Sequence, residues 1–188
     1  ARSWDRKALK RGYSAAYAEF FKASRLPKGR VLDVGAGTGT FARAWVNAGG
    51  SHDLTLLDPS AAMLVRARTN FARIGLTPRQ LHCGFESLAR TLRFDVILAS
   101  HVLEHLPDPG AALKQLANLL PSGGQLYLTV SKPHWCNWLI WLRFQHRWFA
   151  PEVICNLGRD AGLVEMRVSR FQNGPPSRTS LGYVFSKP

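Results

Sequence analysis

The sequence predicts an α/β fold: a seven-stranded, mostly parallel sheet with helices on both faces and an antiparallel hairpin at its end. Three observations predict it. Short apolar, often β-branched runs alternate with helix-length segments from residue 30 to residue 130, which implies right-handed βαβ units. A glycine-rich turn at residues 35–39 leads from the first of those runs straight into a helix. The last two strand-like runs have no helix between them, so at least one of them runs antiparallel.

Taken in order, residues 4–24 read as an amphipathic helix, with Leu9, Tyr13, Tyr17 and Phe20 on one side and Lys7, Lys10 and Arg11 elsewhere. Pro27-Lys28-Gly29 stops it, and Arg30–Val34 reads as a buried strand. A helix over Phe41–Ala48 follows the glycine turn, then a strand over Leu54–Leu57. Ser60 is placed to cap a helix running to Arg73. Gln80–Cys83 is a weak third strand and Phe94–Ala99 a strong fourth. A helix over Gly110–Leu120 ends at Pro121-Ser122-Gly123-Gly124, before a fifth strand at Gln125–Val130. Pro151–Ala161 is a helix closed by Gly162, Leu163–Ser169 and Leu181–Phe185 are the last two strands, and residues 172–180 form a loop.

A chain of 188 residues suits one domain, and 46% hydrophobic residues are enough for a substantial core. Cys83, Cys136 and Cys155 are too few and too scattered for a disulfide framework, and none stands at zinc-ligand spacing, so a reduced, cytoplasmic setting is expected and no metal site. The chain begins at Ala1 without a signal-like segment, and no apolar run approaches the roughly 20 residues of a membrane-spanning helix. A soluble or peripheral protein is therefore expected. The net charge of +13, dense in basic residues near the N-terminus, favours anionic partners such as a phospholipid surface, nucleic acid or an acidic protein.

Asp33-Val34-Gly35-Ala36-Gly37-Thr38-Gly39 leaves a buried strand at the edge where open α/β sheets bind ligands. A dinucleotide enzyme needs Gly-x-Gly-x-x-Gly, but Thr40 stands where its third glycine belongs. Asp33, two residues before the turn, suits an ammonium group better than a pyrophosphate. Asp58, 19 residues after Gly39 at the end of the second strand, can accept hydrogen bonds from both hydroxyls of an adenosine ribose.

Four blocks in order carry a resemblance. They are Asp-x-Gly-x-Gly-x-Gly at 33–39, Leu-Leu-Asp-Pro-Ser-Ala-Ala-Met-Leu at 56–64, the run from Phe94 to Pro109, and Leu-Leu-Pro-Ser-Gly-Gly-Gln-Leu at 119–126. Together they resemble the class I S-adenosylmethionine-dependent methyltransferases, of Rossmann-like fold, across about half the chain. The resemblance implies S-adenosylmethionine as cofactor, with its methionine moiety held by Asp33, Gly35, Ala36, Gly37 and Gly39, and its ribose by Asp58. It implies Met63 near the adenine, Pro59 and Ser100 among the cofactor-binding residues, and His101 lining the cofactor pocket. Where the family often has a Gly-Asp-Ala-like turn this chain has Gly84-Phe85-Glu86, so either Glu86 takes the adenine amino group or Phe85 packs on the ring. The run Leu-Glu-His-Leu-Pro-Asp-Pro at 103–109 is similar to the ubiquinone-pathway O-methyltransferases.

His105 is a candidate general base near neutral pH, although it and Glu104 also suit a purely structural role. His101, His134, Tyr13 and Tyr17 complete the acceptor-side candidates. Four of six tryptophans fall within 135–148, mixed with basic residues in a segment long for such a connection. That composition suits a bilayer headgroup region, an apolar acceptor pocket or a dimer patch. The expected organisation is a lid-like N-terminal helix (1–29), a cofactor-binding core (30–131), an acceptor-side insert (132–150) and a C-terminal helix with strand pair (151–188). The acceptor expected is a hydrophobic small molecule or lipid, met at an anionic membrane surface on its cytoplasmic side. Nucleic acid is less favoured: Ala99-Ser100-His101-Val102 replaces the Asn/Asp-Pro-Pro-aromatic block of amino-directed DNA enzymes, and there is no Pro-Cys nucleophile. RNA methylation and a non-catalytic binding module are the alternatives.

Overall fold

The computed structural model describes residues 12–22, 25–89, 91–134 and 147–188. The first part of the expected N-terminal helix, with Leu9, and residues 135–146 of the tryptophan-rich segment lie outside the described residues.

Apolar strands meet helical faces in three layers. The elements are α1 (Tyr13–Lys22), β1 (Val31–Val34), α2 (Thr40–Asn47), β2 (Leu54–Leu57), α3 (Ala61–Ala72), β3 (Arg79–Leu81), β4 (Val96–Ser100), α4 (Pro109–Leu119), β5 (Gln125–Ser131), α5 (Pro151–Asp160), β6 (Val164–Arg170), α6 (Pro176–Thr179) and β7 (Ser180–Ser186). They build one seven-stranded sheet of order β3-β2-β1-β4-β5-β7-β6. β1 pairs in parallel with both β2 and β4, and all four of its residues are buried, the apolar Val31, Leu32 and Val34 together with Asp33. β7 runs antiparallel between β5 and β6, which leaves β6 as an edge strand.

One face of the sheet packs on α4 and α5 through Leu113, Leu116 and Ile154. The other packs on α1, α2 and α3. There the aromatic side of α1 is absorbed into the core. Tyr17 meets Phe41 edge-on at 4.7 Å, and Phe21 meets Trp45 at 5.5 Å and Tyr127 at 5.6 Å. Aromatic pairs of this kind are worth about 0.5–1.5 kcal/mol each beyond their burial. Arg167 of β6 donates to the Phe20 carbonyl at 2.9 Å and lies 5.1 Å over its ring, tying the edge strand to α1. The helix is thus a structural element of the sheet's flank, and Tyr17, Phe20 and Phe21 face protein.

Gly182 of β7 lets Phe20 seat: a Cβ there would stand 2.6 Å from Phe20 Cε2. Gly182→Ala is therefore expected to lower stability by about 1–3 kcal/mol through overpacking. The check is a urea titration, with a lower midpoint at unchanged slope. A midpoint equal to the parent's would mean that α1 is not held against β7.

Two segments differ from their sequence expectation. Residues 172–180 contain the one-turn helix α6, begun by Pro175-Pro176, where proline's fixed φ suits a first turn, and reinforced by Thr179 Oγ1 donating to the Pro175 carbonyl at 3.0 Å. β3 ends at Leu81, one strand residue after the weak pattern begins, because His82 leaves the ladder and its ring meets the Pro59 carbonyl at 3.0 Å.

Candidate functional site

The chain runs β1 to β3 outward on one side and returns to β4 on the other, so the strand order reverses between β1 and β4. A crevice at the carboxyl ends of such strands is where open α/β sheets bind ligands. The glycine turn stands there. Gly35, Gly37 and Gly39 have φ of 62°, 54° and 78°, conformations that L side chains rarely adopt. Gly35 and Gly39 are also sterically pinned: a Cβ would lie 2.8 Å from Val102 Cγ2 in the first case and 2.7 Å from Phe71 Cε2 in the second. Around Gly37 a Cβ would meet only the Gly35 carbonyl, at 4.0 Å. The middle of the turn is open.

Asp58, just past β2, holds that turn. Its carboxylate oxygens accept from Gly37 N–H at 2.7 Å and Ser60 N–H at 2.8 Å, while Ala36 N–H donates to the Leu57 carbonyl at 2.9 Å. Each oxygen of a carboxylate can accept a second bond, so Asp58 retains capacity for two hydroxyl donors. Asp33 differs. It is 1% exposed, and its Oδ2 is buried without a hydrogen-bond partner. Burial pushes its pKa up to about 8; the Ala42 N–H pulls the other way, and the nearby Asp58 charge adds to the rise. A buried carboxyl oxygen lacking a donor, beside an open glycine turn, fits a cationic donor such as an ammonium group.

Around α3, Ser60 caps the helix by accepting from Met63 N–H at 3.4 Å, and Met63 is half-buried. Pro59 is exposed. Phe85 is buried in the α4-side core, and Glu86 is exposed with its carboxylate curled back over Gly84.

Beyond β4 the chain makes a sharp change of direction. His101 has φ 56°, the only positive φ at a non-glycine among the described residues. Its N–H is fixed by the Thr129 carbonyl at 2.8 Å. Its ring Nδ1 lies 2.9 Å from Glu104 Oε1 and 3.2 Å from Ser131 Oγ, and Nε2 lies 3.5 Å from Ser180 Oγ. Glu104 is 2% exposed and also accepts from Ser131 N–H at 2.7 Å. Burial alone would raise its pKa; the adjacent His101 ring and these hydrogen bonds outweigh that and hold it below the ordinary carboxylate value. Tyr13 stacks edge-on to His101 with centroids 6.4 Å apart, and Tyr17 OH bonds Ser100 Oγ at 2.8 Å. Burial drives the Tyr17 hydroxyl well above the usual phenol value, so it stays neutral.

Ser100, His101, Tyr13 and Tyr17 thus come together under α1. His105 sits exposed at the end of the short turn over Leu103–His105, and His134 is half-buried just past β5. The serines at 131 and 180 carried no signal in the sequence, because only the pairing of β5 with β7 sets them opposite one another. Asp108 caps α4: it accepts from Ala111 N–H at 2.9 Å, with Pro109 at the first helical position. Among the described residues no group of His, Cys, Asp and Glu is arranged to hold a metal, and no helix is long and apolar enough to cross a membrane.

A family model described as a methyltransferase domain matches residues 5–167. The chain belongs to this methyltransferase domain family. Among curated relatives, the ubiquinone biosynthesis O-methyltransferase of Psychrobacter cryohalolentis is 33% identical over 68% of this chain and 50% of that protein. That of Pseudomonas aeruginosa is 31% identical over 53% of this chain and 43% of that protein. The chain spans about half the length of the curated relatives it matches. Solved methyltransferases share the fold. A possible histamine N-methyltransferase from Thermotoga maritima, described as SAM-dependent, superposes with TM-score 0.76 at 22% identity, covering 100% of this chain and 95% of its own. An N-methyltransferase from Bradyrhizobium japonicum, solved with S-adenosyl-L-homocysteine, gives 0.74 at 19% identity, covering 95% and 87%. A magnesium protoporphyrin IX methyltransferase from Synechocystis, solved with bound SAM, gives 0.74 at 18%, covering 97% and 83%. The methyltransferase fold here therefore has its sheet, reversal point and glycine turn in the expected Rossmann-like arrangement.

Proposed function

We propose that the chain transfers a methyl group from S-adenosylmethionine to an oxygen or nitrogen of a hydrophobic small molecule or lipid. The observation that carries this reading is the unpartnered buried oxygen of Asp33 next to the open Gly37 backbone, inside a methyltransferase family domain. In this reading Asp33, with Gly35, Ala36, Gly37 and Gly39, takes the methionine end of the cofactor. Asp58 takes the ribose through its remaining acceptor positions, and Ser100 lines the pocket. Pro59, Met63 and Phe85 flank the adenine, with Glu86 within the same loop for its amino group. When bound, the cofactor supplies a methyl on a sulfonium, an excellent leaving group, so alignment of the acceptor is the main task left to the protein.

On the acceptor side stand His101, His105, His134, Tyr13 and Tyr17. Attachment to an anionic membrane surface on its cytoplasmic side is part of the proposal, supported by the +13 charge. Because Tyr17, Phe20 and Phe21 are buried in the core, any such contact falls to basic side chains and the 135–146 segment rather than to the aromatic face of α1. The test is transfer from methyl-labelled S-adenosylmethionine into host-cell extract, partitioned into organic, aqueous, protein and RNA fractions. Label is expected in the organic fraction. Label confined to RNA would overturn the acceptor class, and failure to bind the cofactor would overturn the enzyme reading.

A further inference from the structure

We propose that His101 and Glu104 form a base and its positioning carboxylate, and that the acceptor atom is therefore a hydroxyl oxygen. This rests on the methyl-transfer reading above and names the class of its acceptor.

The geometry is specific. Glu104 is buried, its Oε1 is anchored by the Ser131 N–H at 2.7 Å, and the same oxygen faces His101 Nδ1 at 2.9 Å. A carboxylate only accepts, so Nδ1 must carry the proton in that contact. In the neutral ring the lone pair is then on Nε2, which points toward Ser180 Oγ at 3.5 Å, a long contact for a hydrogen bond. The ring cannot easily turn away, since Ser131 Oγ at 3.2 Å and the edge of Tyr13 confine it. The backbone is also committed: a histidine at φ 56° is held there by the Thr129 carbonyl bond and by Val102, which packs onto Gly35 of the cofactor turn. A strained residue persists where the surrounding structure over-determines it, and such residues cluster at functional sites. His101 therefore stands between the glycine turn and the β5–β7 end of the sheet, with Nδ1 fixed and Nε2 engaged, among the described residues, only by the long Ser180 contact.

A neutral amine can attack a methyl sulfonium with its own lone pair, whereas a hydroxyl gains nucleophilicity only as it loses its proton. A base with a fixed free nitrogen serves the second case. The acceptor's O–H proton passes to His101 Nε2, the new O–C bond forms as the S–C bond breaks, and the sulfonium departs as a neutral thioether. The imidazolium, stabilised by Glu104, then releases its proton to solvent. Among the described residues, the titratable groups facing His101 are Glu104 from its own turn and Tyr13 from α1; Tyr17, also on α1, faces Glu104.

The first readout needs no acceptor: nitrogen chemical shifts of histidine-labelled protein, with His101→Asn used for assignment because asparagine tolerates positive φ. The neutral His101 ring is expected as the Nδ1–H tautomer, turning into a tautomer mixture in Glu104→Gln, whose neutral amide oxygen keeps the Ser131 N–H bond and the fold but no longer holds Nδ1–H as a carboxylate does. An Nε2–H tautomer in the parent, or no change in Glu104→Gln, would overturn the pair. The second readout is label transfer into the organic fraction of host extract. There His101→Asn should lower kcat by about 10²–10³-fold, in line with loss of a general base. Loss of a carboxylate that fixes a base's tautomer is of comparable size, so Glu104→Gln should cost at least about 10²-fold. Affinity for S-adenosyl-L-homocysteine should hold in Glu104→Gln. Undiminished kcat would overturn the proposal. A parent protein that binds no cofactor or transfers no label fails the methyl-transfer reading instead, while the tautomer measurement still decides the pair.

Discussion

Asp58→Ala is expected to weaken S-adenosylmethionine binding by about 10³-fold, since two hydrogen bonds to a charged acceptor are lost at roughly 1.5–3 kcal/mol each. The effect has two sources that calorimetry and unfolding can separate. Asp58 holds Gly37 N–H and Ser60 N–H, so its removal also frees the turn and the start of α3. Leaving a donor without its partner costs about 1–3 kcal/mol, which should appear as a lower unfolding midpoint without ligand. Asp58→Asn keeps the shape, but its NH₂ must face one of the two N–H donors, so the turn is misheld and affinity falls by an intermediate amount. Titration of each variant with S-adenosyl-L-homocysteine, beside a urea midpoint, gives both numbers. Unchanged affinity in Asp58→Ala, with the fold intact, would move the ribose contact to another residue.

The second large effect concerns Asp33 and pH. In the ligand-free protein its pKa is pushed up to about 8 by burial, so near neutral pH the carboxyl is mostly protonated. A cationic ligand favours the carboxylate, so binding at pH 7 should release about one proton and affinity should rise roughly tenfold from pH 6 to pH 7. Stability runs the other way. The folded pKa lies above the unfolded value of 3.8, so across that interval the native chain holds a proton that the unfolded chain has lost. The Asp33 contribution to stability therefore declines as pH rises from about 4 to about 8 and stays low above that. Asp33→Asn removes the titration. It should melt higher than the parent at pH 8, bind S-adenosylmethionine more weakly, and release no proton. Calorimetry in two buffers of different ionisation enthalpy measures the proton count; zero release by the parent would refute this account of Asp33.

Much of the fold was legible because local and tertiary demands agree. The β1 run is apolar but for Asp33 and buried throughout, the turn after it has glycine wherever φ is positive, and Ser60 caps the helix its sequence position announces. The paired last strands announced the antiparallel end, though not that β7 would lie between β5 and β6. Where breakers dominate, the pattern misleads: Gly174-Pro175-Pro176 reads as loop, yet proline is at home in the first turn of α6. The amphipathic stripe of α1 predicted a helix but not its partner, since Tyr17 and Phe20 at helical spacing fit a lid, a membrane or a core equally well. Only the sheet's flank, with Phe41, Trp45 and Tyr127, selects the core.

The site divides in the same way. Asp33, the glycines and Asp58 lie on consecutive βα turns, so short-range spacing reveals them. The His101 pair was half visible: its residues stand within one block, but the Thr129 carbonyl that fixes the His101 backbone and the anchoring N–H of Ser131 come from β5, the latter 27 residues after Glu104. In the sequence His105 stood out as the candidate base, with His101 lining the cofactor pocket and among the acceptor-side candidates. Burial of Glu104 against His101, with His105 exposed, separates them.

The most direct test of the site is a crystal structure of this chain with S-adenosyl-L-homocysteine. The ligand's ammonium group is expected at Asp33, its backbone contacts on Gly35–Gly39, and both ribose hydroxyls on Asp58. A ligand seated away from the β1–β4 reversal, or one that leaves Asp33 Oδ2 without a donor and Asp58 without ribose, would contradict this assignment.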